Sequence, residues 1–259
     1  MEFDVPRALR RGRWRHRDED GWLASAHALL DLLTSSFGLA DLSDTALLDM
    51  GCGTKLTKAI LESRIPIGRY VGVDVSSDII QFLTKRVEDS RFEFHHLDAH
   101  NDLYNPGGRP LDTFERLPVG EDLFGIISLF SVFTHLAPAD YREMLELLRP
   151  HVDPSGGLLF SVFIHQDEVD PALERAIERR VAAGDPDTLK AIEERLAAGA
   201  PAASEPPDFL DRIPERPLLE AVYSERYARE LIEGTGWEVA ALHPPRPEVI
   251  QHYFVCRPV

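Results

Sequence analysis

Three acids stand where short apolar runs give way to turns: Asp49 in ALLDMGCGT, Asp74 in RYVGVDVS and Asp98 in FEFHHLDA. The run Asp49-Met50-Gly51-Cys52-Gly53-Thr54 is the most informative. It reads as a strand end, a turn with two glycines and a helix start. Such a turn lets backbone N–H groups and the helix N-terminus face a ligand without interference from Cβ atoms. A dinucleotide fingerprint, G-x-G-x-x-G, fails because Leu56 stands at the third glycine. The phosphate-cradling pattern G-x-x-x-x-G-K-[ST] is absent as well. An acid before the turn repels a pyrophosphate and suits a cationic or amine-bearing ligand. Each acid taken alone reads better as a helix cap or turn former. Three at successive strand ends line one carboxyl edge, the edge at which open α/β sheets bind ligands.

Histidine is the side chain whose charge changes near neutral pH, so it is the first candidate for moving a proton. Of ten histidines, His135 in SVFTHL follows the fourth apolar strand and His165 ends the fifth, both on that same edge. Their other reading is a half-buried ring satisfying loop backbone. His95 and His96 lie within the third strand, one on each face. His95, His100 and Asp98 do not gather into a ligand set under strand alternation, so no metal site is expected. Cys52 sits in the glycine turn and reads as a small buried thiol rather than a nucleophile.

These residues need a scaffold, and the hydrophobic pattern supplies one. WLASAHALLDLLTSSF (22–37) is apolar at helical spacing. Strands are expected at 46–53, 69–76, 92–99, within 121–136 and at 156–165, with helices at 56–64, 77–89 and after Pro138. That alternation predicts a parallel sheet covered on both faces. A helix over 224–237 is followed by WEVAALH and QHYFVCRP, too close together for a helical crossover, so the last two strands pair antiparallel. The fold class is α/β: a Rossmann-like, mostly parallel seven-stranded sheet with a C-terminal antiparallel strand and a helical insertion after the fifth strand. Residues 166–222 hold 14 acids and 7 bases and read as two short helices, PALERAIERRVAAG and PDTLKAIEERLAAG, followed by a Pro-rich extended connector. The expected division is an N-terminal arm and helix at 1–40, a core at 41–165 and 224–259, and the insertion at 166–223, which reads equally as a lid over the site or as a solvated helical excursion or homodimer contact.

Composition narrows the partners. The 259 residues carry 28 Lys plus Arg against 44 Asp plus Glu, a formal charge of −16, which argues against a nucleic-acid grip. Six arginines between 7 and 17 are the exception. They read either as a solvated arm or as cations folded over an anionic group at a site. Two cysteines cannot build a disulfide framework. No apolar run reaches the roughly 20 residues of a membrane span, and MEFDVPRALRRGRWRHRDED has no signal core, so a cytoplasmic protein with no membrane partner is expected.

Taken in order, these motifs resemble the class I S-adenosylmethionine-dependent methyltransferases. LLDMGCGT resembles the family's first motif, VGVDVS the second and FHHLDA the third. IISLFSVFTHLAPADYREMLELLRPHVDPSGGLLFSVF resembles its fourth strand, helix and fifth strand, and the C-terminal segments resemble its last helix and hairpin. The resemblance implies S-adenosylmethionine as cofactor and S-adenosylhomocysteine as product. Gly51, Cys52 and Gly53 would hug the aminoacyl and ribose part, with Asp49 supporting the turn and the ammonium. Asp74, with Val75 beside it, would take the ribose hydroxyls. Asp98 would meet the adenine amino group, Ala99 the ring edge, and the backbone near Phe130 the methionine portion. The family usually has a glycine where Lys55 stands; this lysine would pair with the cofactor's carboxylate or with Asp49. The implied reaction is methyl transfer to a small molecule such as a natural product, sugar or metabolite, O-methylation slightly favoured, with His135 or His165 as base or acceptor contact. The rivals are a cofactor-binding relative without methyl transfer or with an atypical S-adenosylmethionine reaction, a nicotinamide oxidoreductase, and an RNA or protein methyltransferase using the arginine arm.

Overall fold

The computed structural model describes residues 3–11, 19–165, 207–213, 215–245 and 250–259. Its elements are α1 (Glu19–Phe37), β1 (Leu42–Met50), α2 (Lys55–Ser63), β2 (Ile67–Asp74), α3 (Ser77–Arg86), β3 (Phe92–His96), β4 (Phe124–Leu129), α4 (Pro138–Leu148), β5 (Val152–Ile164), β6 (Phe209–Asp211), β7 (Ala221–Tyr223), α5 (Glu225–Ile232), β8 (Trp237–His243) and β9 (His252–Pro258).

The central strands are apolar at nearly every position because both faces of the sheet are covered. Strand alternation divides their side chains between two cores. Leu48, Met50, Val71, Val73, Ile127, Leu129, Leu158 and Phe160 meet Tyr141, Leu145 and Leu148 of α4 and Ala228 and Ile232 of α5. Leu47, Tyr70, Ile126, Leu159 and Val255 face Ala26, Leu30 and Leu33 of α1 and Leu56, Ala59 and Ile60 of α2.

The sheet runs β3-β2-β1-β4-β5, all parallel. The chain winds one way from β1 through β2 to β3, then returns to place β4 on the other side of β1. That reversal opens a crevice at the carboxyl ends of β1 and β4. Beyond β5, the reversed strand β9 pairs antiparallel along Leu158–Val162, and β8 pairs antiparallel with β9. The mostly parallel sheet with an antiparallel C-terminal strand is thus observed.

Boundaries differ where the backbone turns. β1 stops at Met50 because Gly51 has φ +72°, which no extended chain continues. Two further strands join the seven expected: β6 and β7, cut from the segment that reads in sequence as an extended connector. β7 runs parallel to the last two residues of β5, Phe163 and Ile164, and β6 closes antiparallel on β7. Three-residue strands carry too little alternation to announce themselves. The two helices expected within 166–200 lie outside the described residues. Among the described residues, no helix is long and apolar enough to cross a membrane.

Phe160 is fully buried at the centre of β5, with ring centroids 4.3 Å from Phe133 and 5.3 Å from Phe254. Phe160→Ala should cost about 3–5 kcal/mol in urea unfolding, and a loss below about 1 kcal/mol would contradict this packing.

Candidate active site

The crevice is built by four turns that leave the sheet at one edge. The first follows β1. Gly51 and Gly53 both adopt positive φ, +72° and +51°. A Cβ on Gly51 would collide with Val132 Cγ2, from the turn that follows β4. Glycine is therefore required here on two grounds, conformation and space. The N–H groups of this turn do not face outward as an anion cradle. Gly51 and Cys52 donate to the Val73 carbonyl at 2.7 and 3.1 Å, and Gly53 donates to Asp74 Oδ2 at 2.9 Å. The space a Cβ on Gly51 would fill is taken by Val132, whereas at Gly53 the nearest atom to that position is Arg11 Cγ at 4.0 Å, so close approach to the turn is open at Gly53. Lys55 opens α2 just beyond it.

Asp74 ends β2 and is the hinge of the site. Its second oxygen, Oδ1, accepts the Ser76 N–H at 2.8 Å. The carboxylate thus ties the β1 turn to the β2 turn. It is 7% exposed. Burial raises its carboxyl above the ordinary range, while the two backbone N–H groups and the nearby Arg11 and His96 oppose that rise. An ionised carboxylate has about four acceptor positions, and two are taken here. Among the described residues no donor takes the other two.

Asp49 occupies a different environment. Strand register sets Ser128 of β4 beside it, and Ser128 Oγ donates to its Oδ1 at 2.9 Å. On the other side, in β2, Tyr70 Oη donates to Oδ2 at 2.6 Å. At 2% exposure the acid lies beneath the turn. Burial pushes its carboxyl up to about 6, against the pull of those two hydroxyls. Cys52 is buried beside it, and burial, with the carboxylates of Asp74 and Asp49, drives its thiol well above the usual range. A thiol so held is a poor nucleophile.

The third turn follows β3. Asp98 is exposed at its start and accepts a bond from Asn105 Nδ2 at 3.0 Å. Ala99 is buried, with its N–H on the Leu97 carbonyl. Val75 is half-buried above β2, and its carbonyl meets His96 Nε2 at 3.1 Å. The loop beyond Ala99 carries Tyr104, whose ring lies under the Arg11 guanidinium at 4.7 Å and edge-on to His135 at 5.8 Å. Sequence inspection offers one signal for Tyr104: it is the only aromatic residue in the turn-rich stretch HNDLYNPGG. Arg11 belongs to the six-arginine segment, and the structure puts it in the crevice with one N–H on Ser76 Oγ at 3.2 Å.

The fourth turn follows β4. Phe130 is half-buried, its ring 6.3 Å from that of Tyr253. Ser131 adopts φ +60° while its N–H donates to Ser161 Oγ at 2.7 Å. A non-glycine residue in that region is strained, and the Ser161 bond helps to hold it there. His135 closes the short helical turn Phe133–His135. Its Nδ1 lies 3.0 Å from the Leu218 carbonyl, an atom that can only accept, so Nδ1 carries the proton and the neutral ring keeps Nε2 as the acceptor. Burial holds its pKa below the ordinary histidine value, against the backbone of Leu218 and Leu219 and the charge of Glu220. His135 is therefore neutral at pH 7. His165 follows β5 at the same edge, its N–H on the Tyr223 carbonyl. No group of three or more His, Cys, Asp or Glu side chains suited to a metal occurs among the described residues.

The sheet order, the crevice at the strand reversal and the glycine turn braced on a strand-end carboxylate define a class I, Rossmann-like fold. A family described as "Methyltransferase domain" matches residues 13–242, and the chain belongs to that family. The malonyl-[acyl-carrier protein] O-methyltransferase of Bacillus cereus is 26% identical over 157 residues, which are 60% of this chain and 51% of that protein. The aligned segment thus spans about half the length of that relative. Among solved structures, the magnesium protoporphyrin IX methyltransferase ChlM from Synechocystis PCC 6803, with bound SAH, superposes with a TM-score of 0.56 at 12% identity, covering 98% of this chain and 92% of that one. The glycopeptide N-methyltransferase MtfA gives 0.55 at 16%, covering 96% and 100%. The mitomycin 7-O-methyltransferase MmcR gives 0.54 at 15%, covering 92% and 54%. At these identities the likeness is one of fold.

The elevated carboxyl of Asp49 has a consequence for stability. A group whose folded pKa is raised to about 6 contributes stability that is fully present below about pH 4 and is lost as pH rises through 6. The span is about 3 kcal/mol for a shift of about two units. Asp49→Asn removes this dependence. Its stability relative to wild type should therefore be about 2 kcal/mol more favourable at pH 7.5 than at pH 4 in urea titrations. A difference independent of pH would contradict the burial of Asp49 as a carboxyl.

Proposed function

We propose that this chain is an S-adenosylmethionine-dependent methyltransferase acting on a small-molecule acceptor, with oxygen favoured over nitrogen as the receiving atom. The observation that carries this reading is the Asp74 carboxylate, braced by Gly53 and Ser76 and keeping two acceptor positions beside a Cβ-free turn. That arrangement suits a ribose diol attached to a group that packs closely on the glycines. Family membership and the shared fold of known methyltransferases support it.

In this reading Gly51 and Gly53 receive the aminoacyl part of the cofactor, and Asp74 takes the ribose hydroxyls. Val75 and Ala99 flank the adenine, and exposed Asp98 accepts from its amino group. The Phe130 backbone lies along the methionine portion. Asp49 supports the turn from below, and Lys55 at the start of α2 supplies positive charge near it. When bound, the cofactor supplies a methyl group on a positively charged sulfur, which leaves without acid assistance. The work left to the chain is alignment, which in favourable cases contributes roughly 7 kcal/mol or more, and removal of a proton from the acceptor. His135, neutral and fixed by the Leu218 carbonyl, is the proton acceptor of choice. His165 at the end of β5 lines the acceptor side.

Oxygen is favoured because a hydroxyl acceptor needs a base near pH 7, and a neutral imidazole provides one. The acceptor is a natural product, sugar or other small metabolite, consistent with an acidic surface that disfavours nucleic acid.

Two measurements test this. Isothermal titration with S-adenosylhomocysteine should show that Asp74→Ala loses about 100-fold in affinity, roughly 2.7 kcal/mol; unchanged affinity would remove the ribose assignment. His135→Ala should lower transfer of a radioactive methyl group by about 10²–10⁴-fold with little change in cofactor affinity. Undiminished transfer would exclude His135 as the base.

A further inference from the structure

The segment Phe3–Arg11 crosses the mouth of the crevice and is held there by a buried cation. Lys58, on α2 just after the glycine turn, is 1% exposed. Its ammonium has three donors, and three acceptors meet it: the Phe3 carbonyl at 2.8 Å, Glu62 Oε1 at 2.6 Å and Glu19 Oε1 at 2.8 Å. Glu62 also accepts the Phe3 N–H at 3.1 Å. Further along, Arg10 donates to the Val5 carbonyl and to Glu19, the Leu9 carbonyl accepts Thr54 Oγ1, and Trp22 Nε1 donates to the Arg11 carbonyl. Phe3 and Val5 are buried against Trp22, Ile79, Ile80 and Leu83. The segment is therefore a strap fixed along its length, and Arg11 is its last described residue.

The Arg11 side chain continues from that anchored backbone over the nucleoside edge. Its Cγ lies 4.0 Å from the position a Cβ on Gly53 would take, and its guanidinium reaches Ser76 Oγ on one side and covers the Tyr104 ring on the other. Among the described residues no carboxylate lies within ion-pair distance of it, and Ser76 Oγ is its one side-chain hydrogen-bond acceptor. A guanidinium has five N–H donors. Among the described residues Ser76 Oγ takes one of them, and the others are directed to the space beside Asp74.

We propose that the strap is part of the cofactor site: Arg11, stacked on Tyr104, closes the cleft over the bound adenosine moiety, and Lys58 is the positioning residue that holds the strap in place. This rests on the cofactor reading above and adds to it a wall that the glycine turn and the strand-end acids do not supply.

Stopped-flow release of two probes tests it, S-adenosylhomocysteine and 5′-methylthioadenosine, which lacks the carboxylate. Arg11→Ala should speed release of both by about tenfold or more, without lowering the thermal midpoint, since affinity changes of this kind reside mainly in the off-rate. Tyr104→Ala should match it, and the double variant should be no faster than either single one. Lys58→Met should also speed release, and adding Arg11→Ala to it should change little further. Release that is unchanged or slower in Arg11→Ala overturns the proposal. So does an effect confined to S-adenosylhomocysteine, which would make Arg11 a carboxylate ligand instead of a wall. If wild type binds neither probe, it is the cofactor reading that fails; wild-type binding with an indifferent Arg11→Ala variant overturns the strap alone.

Discussion

One carboxylate joins the two turns on which the crevice depends. Asp74 accepts the Gly53 N–H from the turn after β1 and the Ser76 N–H from the turn after β2. Hydrogen bonds to an ionised acceptor are stronger than neutral ones. They set the distance between two loops whose side chains otherwise have few reasons to meet. The cost is a buried charge, and burial raises the Asp74 carboxyl accordingly. The two N–H groups and the nearby Arg11 guanidinium offset part of that cost. In the proposed reading, a diol hydrogen-bonded to the remaining lone pairs would offset more of that cost.

The second acid, Asp49, shows how position along a strand changes chemistry. It lies in β1 two residues before Gly51, yet it is sealed beneath the glycines by Tyr70 and Ser128. Asp74 faces the crevice mouth near Arg11. The same residue type thus serves once as a brace beneath the turn and once as a tie between two turns, which the proposed reading makes the acceptor for a ligand. The two acids repel each other electrostatically, and each pushes the local titration upward. With the N–H groups of Gly51, Cys52 and Gly53 all directed at β2, the glycine turn itself offers no anion cradle.

Much of this was legible in the amino-acid order. The alternation of apolar runs and amphipathic helices announces the sheet, because a doubly covered parallel strand must be apolar at nearly every position. The glycines and strand-end acids mark the carboxyl edge. Other features depend on distant pairing. Ser128 meets Asp49 across 79 residues through the β1–β4 register. Arg11 meets Ser76 across 65, and nothing local singles it out among six arginines. The strands β6 and β7 owe their existence to the free end of β5, beyond the reach of β9, rather than to a pattern of their own.

The account turns on where an adenosyl group sits, and a crystal structure grown with S-adenosylhomocysteine addresses that most directly. The ribose hydroxyls should lie within hydrogen-bond distance of Asp74, with the aminoacyl chain along Gly51–Gly53 and the adenine between Val75 and Ala99. Nucleoside density away from this edge, or an Asp74 carboxylate that keeps only its two backbone partners while the ligand is bound elsewhere, would contradict it.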